Sequence, residues 1–215
     1  MKKITLLSLV AVLLTALTFT SCNTGDDNGY SLLTKEQQDA YQTKMAGSYP
    51  NLVLLFDHKN DANVKNQVDS VDTECYFSMR NDSTFTISNF PIKKLAEHIS
   101  NPELKEAISK VEDNKTVTGK YMVLPNSKTN QAYFSACPSP ITLYLKYGSD
   151  AKEHKVVLIF SAYYAGGCIW ATKQIGFPFY LTYIFVDGAQ TNYIKNSINS
   201  QPIVSFACRN KVTSK

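Results

Sequence analysis

The clearest pattern in the chain spans residues 71–80. Val71, Thr73, Cys75, Phe77 and Met79 fall on one side of a two-residue repeat, and Asp72, Glu74, Tyr76, Ser78 and Arg80 on the other. Successive side chains of a strand point to opposite faces, so this is a strand with one buried face. It predicts Cys75, Phe77 and Met79 inward, Glu74 and Arg80 outward. Asn81-Asp82 then reads as a turn, and residues 83–88 as the returning arm of a hairpin. Upstream, Thr34 and Gln37 have the spacing of a capping box, opening a helix that runs to about Ala46 and stops at Gly47. Residues 49–56 read as a buried strand.

After Phe90-Pro91 the period changes. Ile92, Leu95, Ala96 and Ile99 share one helical face, and Leu104, Ala107, Ile108 and Val111 continue a stripe behind Asn101-Pro102, a cap followed by proline at the first helical position. Two short helices, about 92–100 and 102–111, are predicted. Strands resume at 116–124, 131–136, 141–147, 155–164, 168–172, 177–186 and 202–208. Gly166-Gly167 and Asp187-Gly188 read as turns, and 189–198 as a weak helix. Parallel strands need long crossovers, and residues 116–186 have no room for them. The fold class is therefore mainly β: an antiparallel sandwich or barrel with a two-helix insertion and a short N-terminal helix.

The first residues obey a different rule. Lys2 and Lys3 precede an uncharged apolar run over 4–19, and small Thr20 and Ser21 precede Cys22. This is the layout of a cleavable secretory signal, too short and wrongly flanked to remain as a membrane span. Phe19-Thr20-Ser21-Cys22 resembles the lipobox of bacterial lipoproteins, with Phe19 in place of the usual aliphatic residue. The resemblance implies removal of residues 1–21 and a lipid on Cys22, which makes the membrane the first partner. Residues 22–33 begin with a polar run and read as a tether, leaving one domain over 34–215 with a helical insertion at about 92–111. Asp26 and Asp27 resemble the acidic surface-export signal of Bacteroidetes lipoproteins. The expected location is the outer membrane, with the cell surface favoured over its inner leaflet.

Composition narrows the function classes. The net charge of +4 falls to +2 without the two N-terminal lysines, and no basic run stands out, so nucleic acid is not expected as a partner. Of the five cysteines, Cys75, Cys137, Cys168 and Cys208 remain once Cys22 carries lipid. They can form two disulfides in three pairings, or stay as four buried thiols. Their wide spacing lacks any C-x-x-C, which argues against zinc and thioredoxin-like chemistry.

Three histidines, His58, His98 and His154, fall in no metalloprotease pattern. Asp57, His58, Asp61, Asp69 and Asp72 crowd one stretch, but Lys59 stands where a calcium loop needs an oxygen and the required glycine is missing. A solvated loop is the better reading, and neither metal nor cofactor is expected. No nucleophile elbow, phosphate loop or dinucleotide fingerprint occurs, so no catalytic residue is assigned. The aromatic C-terminal half is better suited to binding. Trp170, Tyr163 and Tyr164 are candidate contacts for a glycan or a small apolar ligand, against the alternative of ordinary β-core and cross-strand tyrosines.

The order of motifs — Gly47-Ser-Tyr49, Asn81-Asp-Ser-Thr84, Phe90-Pro91 before two helices, Gly119-Lys-Tyr121 — together with Cys22 and its acidic tether resembles the uncharacterised lipoproteins of gut Bacteroides, a domain-of-unknown-function family. The resemblance covers about residues 22–210 and implies a calycin-like (lipocalin-like) barrel or a sandwich, but no activity. The expected function is a non-enzymatic ligand-binding or accessory lipoprotein of the envelope. The alternatives are an envelope hydrolase using scattered Cys, His and Asp residues, or a purely structural surface protein.

Overall fold

A computed structural model describes residues 32–57, 68–78, 80, 82–112, 115–128, 130–149, 152–189, 191–195 and 203–211. The expected signal over 1–21, Cys22, most of the expected tether, His58, Asp61 and Met79 lie outside the described residues. Helix α1 (Lys35–Met45) opens as its sequence predicts: Thr34 Oγ1 accepts from Gln37 N, and Gln37 Oε1 accepts from Thr34 N.

Among the described residues ten strands follow: β1 (Gly47–Asp57), β2 (Val68–Phe77), β3 (Thr84–Phe90), β4 (Lys115–Leu124), β5 (Ala132–Pro138), β6 (Ile141–Lys146), β7 (Glu153–Ser161), β8 (Gly166–Ile169), β9 (Gln174–Val186) and β10 (Val204–Asn210). Every described pairing is antiparallel. Eight strands close a ring in the order β1-β2-β3-β4-β5-β8-β9-β10 and back to β1. The choice between sandwich and barrel thus falls to the barrel, because β10 pairs with β1 on one side and β9 on the other. A calycin-like barrel fits.

The long strand β9 makes the closure possible. Its first residues pair with the short β8, its centre with β10, and its last part with β7. β7 therefore takes the place beside β9 that β8 vacates, and the β6–β7 hairpin extends away from the ring. Between β3 and β4 the insertion forms a 3-10 helix (Ile92–His98) and α2 (Pro102–Ser109). The former is 3-10 rather than α: it is short, follows Pro91 and has no side-chain cap. Both bury the predicted stripe, Ile92, Leu95 and Ala96 in one and Leu104 and Ile108 in the other.

Two local expectations are corrected. Residues 189–198 are not helical where described. Asn192 Oδ1 accepts from Ile184 N and Ile194 N, and its Nδ2 donates to Thr182 O, which ties this segment to β9. Ile194 then bridges Ile99. Gly166-Gly167 is not a turn but the start of β8, and the strand expected at 168–172 ends at Ile169, where the 3-10 turn Trp170–Thr172 begins. Gly166 is glycine for packing: a Cβ there would sit 2.4 Å from Phe177 Cβ.

The predicted faces hold. Cys75 and Phe77 are fully buried, while Glu74 and Arg80 are exposed. Phe77 lies at the centre of the barrel, with ring centroids of Tyr49, Phe85, Tyr121 and Phe134 between 5.0 and 5.7 Å away. A second cluster joins Phe90, Phe160, Phe179 and Phe206, the last two stacked at 5.1 Å and 4°. An eight-stranded barrel is just wide enough for its side chains to fill it or to hold one small ligand. Here aromatic rings fill it.

Candidate functional site

With the interior packed, binding surface has to be sought on the outer wall. An open groove of about 470 Å³ lies over β5, β8, β9 and β10. Its position follows from register. Tyr133 on β5 stands opposite Gly167 on β8, Gly167 opposite Gly176 on β9, and Gly176 opposite Arg209 on β10. All four belong to the outward set, because their neighbours Phe134, Cys168, Ile175 and Cys208 point inward and are buried. Two consecutive positions across the sheet thus carry no side chain, and the row is walled by a tyrosine ring at one end and a guanidinium at the other. At strand spacing, Tyr133 and Arg209 stand about 14 Å apart along this row.

The rim is polar and cationic. Lys128 rises from the loop between β4 and β5, and Gln131 and Gln174 line the side. Asn210 also borders the groove, but its amide is engaged: Oδ1 accepts from Ile175 N at 2.6 Å and Nδ2 donates to Lys173 O at 3.4 Å. Among the described lining residues there is no carboxylate. Among the described residues no ion pair is made by Lys128 or Arg209, whereas the neighbouring Lys211 is neutralised by Asp72 at 2.8 Å.

The glycines fall into two kinds. Gly119 and Gly166 are buried, and neither has room for a methyl group: a Cβ on Gly119 would lie 2.5 Å from Cys137 O and from the Phe85 ring. Gly167 and Gly176 face outward with negative or extended backbone and free space. A Cβ on Gly167 would meet nothing within 4 Å, and one on Gly176 only ordinary contacts at 3.7 and 3.8 Å. A strand residue without a side chain costs stability, so glycine where packing does not demand it marks a place where something approaches the backbone.

The residues singled out from the sequence lie elsewhere. Trp170 is half-buried between α1 and the barrel, its ring 6.1 Å from Tyr41 and under Lys44 Nζ at 4.9 Å. Tyr163 and Tyr164 are exposed and lean on Tyr180 at 5.2 and 6.2 Å. None of the three lines the groove. The sequence carried one signal for the groove, its adjacent glycines, but read as a turn they concealed the floor of a strand pair. Tyr133 and Arg209 join it only through β5–β8 and β9–β10 pairing.

The four described cysteines are free thiols. Cys75 and Cys208 meet inside the barrel with Sγ atoms 3.5 Å apart, and Cys168 Sγ contacts the Tyr49 hydroxyl at 3.2 Å. Cys137 pairs with none of them; its Sγ lies 3.5 Å from Pro138 O. The hydrogen bond to Cys208, then burial, raises the Cys75 pKa; burial raises that of Cys168 and pushes Cys137 up to about 11. These three are therefore protonated at neutral pH, the unreactive form.

Two histidines are described, and they are far apart in role. His98 is buried and donates from Nε2 to Asp57 O at 2.8 Å, and burial lowers its pKa. His154 Nδ1 meets Asp187 Oδ2 at 2.7 Å beside the Tyr147 ring, and Asp187 Oδ1 accepts from Lys155 N. Hydrogen bonds from His154 and Lys155 lower the Asp187 pKa. The described members of the acidic stretch, Asp57, Asp69 and Asp72, have separate partners. Asp57 caps Ser205 N, Asp69 faces Lys94 and Asp72 faces Lys211. Among the described residues no three metal-ligating side chains gather.

Comparison with known proteins finds one relationship. No curated protein and no solved structure matches the chain. One family model does match, over residues 44–186, from the end of α1 to the end of β9, which is more than half of the chain. The protein therefore belongs to the family described as a domain of unknown function, DUF4840.

Proposed function

We propose that this protein is a lipid-anchored, non-enzymatic binding protein of the cell envelope, with its ligand seated in the groove over Gly167 and Gly176. The observation that carries the reading is the contrast between a barrel interior filled by rings and an outer wall left bare at two facing positions. The protonated thiols and the absence of any described contact between a histidine and a cysteine or serine side chain support binding over turnover. The anchor rests on the signal layout and Cys22.

The test has two arms. A screen of the full chain against soluble glycans and lipids should find a ligand whose binding is lost in Gly167→Val, and failure of that variant to matter would reject the groove. In cells, Cys22→Ala should move the protein out of the membrane fraction; unchanged mobility and membrane retention would reject the anchor. An envelope hydrolase is the second reading, favoured by the hydrogen-bonded His154–Asp187 pair. Turnover of any screened substrate that disappears in His154→Ala would replace the first reading with this one.

A further inference from the structure

Resting on the groove as the binding site, we infer that its ligand is a carboxylate-bearing sugar chain, such as a glycan of uronic acids. The chemistry of the lining is asymmetric. Among the described residues it holds two cations without a carboxylate partner, Lys128 and Arg209, and no acid. A buried or neutral apolar ligand would gain nothing from that pair, and the groove is too open to enclose one. The charge therefore selects an anion. Arg209 presents a planar donor fork that fits a carboxylate with two parallel hydrogen bonds, and Lys128 adds a point charge.

The floor selects the shape. A pyranose ring has a flat face of C–H groups, and Gly167 and Gly176 expose a flat stretch of backbone on which such a face can lie without meeting a side chain. Tyr133, 37 % exposed, stands at the end of the row opposite Arg209 and offers a ring for the next sugar in line. Gln131 and Gln174 have amides with no described partner, each able to donate to and accept from a hydroxyl. A row walled by a ring, floored by backbone and closed by a guanidinium is directional: the sugar's carboxylate sits at the β10 end.

The test uses the full chain and three probes of equal length or charge: an oligogalacturonate, a neutral cello-oligosaccharide and dextran sulfate, measured by calorimetry at low and moderate salt. The oligogalacturonate should bind. Arg209→Gln should weaken it about 10- to 100-fold, the expected loss for a charge-assisted contact. Gly167→Val and Gly176→Val should abolish it while leaving the melting temperature unchanged or higher, which separates a filled floor from a damaged fold. If the neutral chain binds equally and Arg209→Gln has no effect, the acidic-sugar assignment fails while the groove stands. If dextran sulfate binds as well as oligogalacturonate and both glycine variants bind normally, the contact is surface charge alone and this inference is overturned. Absence of oligogalacturonate binding overturns it as well. The groove itself falls only if a ligand found by the wider screen is indifferent to both glycine variants.

Discussion

The two faces of the barrel wall use glycine for opposite reasons. On the inner face, Gly119 and Gly166 exist because other atoms lie directly against the backbone: Cys137 O and the Phe85 ring at the first, Phe177 Cβ and Gly176 O at the second. On the outer face, a Cβ on Gly167 would meet nothing within 4 Å and one on Gly176 only ordinary contacts at 3.7 and 3.8 Å. Inside, a missing side chain completes the packing; outside, it leaves a recess. The comparison teaches that a glycine in a strand is uninformative until the space its Cβ would occupy is known. Gly166 and Gly167 are adjacent in sequence, yet strand alternation sends them to different faces and different roles.

Substitutions can break this contrast in order of expected size. The largest effect belongs to the ring at the centre. Phe77→Ala removes a side chain packed against Tyr49, Phe85, Tyr121 and Phe134 and should cost about 4 kcal/mol by urea unfolding. A loss under half of that would mean that the rings can close over the cavity.

The glycines come next and differ in sign. Gly119→Ala drives a methyl into Cys137 O and the Phe85 ring, and should destabilise by about 2 kcal/mol. Gly167→Ala should do the reverse, raising stability by up to about 1 kcal/mol, because it adds strand propensity in open space. Equal effects at the two positions would erase the distinction between faces.

His98 supplies a pH-dependent effect. Its folded pKa lies below the ordinary 6.5, because burial disfavours the charged ring. The unfolded chain therefore takes up the proton first as pH falls. Stability is intact above about pH 6.5 and declines as acidification proceeds from there through the folded value. Unfolding measured at pH 7.5, 6.5 and 5.5 should show this decline, and His98→Gln should flatten it. An unchanged slope in the variant would assign the decline to other groups.

The smallest effect is expected at Tyr121. Its hydroxyl is buried with no partner among the described residues, unlike that of Tyr49, which donates to Met45 O at 2.7 Å. Tyr121→Phe should lie within about 0.5 kcal/mol of the parent, on the stabilising side. A clear loss would show that the hydroxyl is satisfied in solution.

Local chemistry was legible along the chain because its causes are local. Alternation at 71–80 placed Cys75 and Phe77 inside, the spacing of Thr34 and Gln37 capped α1, and Asn101-Pro102 opened α2. The change of period at Phe90 marked the insertion, and the lack of crossover helices fixed the antiparallel class. What the tertiary structure alone decided depends on pairs distant in sequence. Closure of the barrel needs β10 between β1 and β9, a register that periodicity cannot state. The Asn192 side chain overrides the helical tendency of its described neighbours, 191–195, by bonding to β9. The groove is the extreme case: Tyr133, Gly167, Gly176 and Arg209 form one row only because four strands, brought together by that closure, align them. Backbone and side-chain preferences act between neighbours in the chain and so can be read from it; a surface is made by neighbours in space, which only the packed barrel chooses.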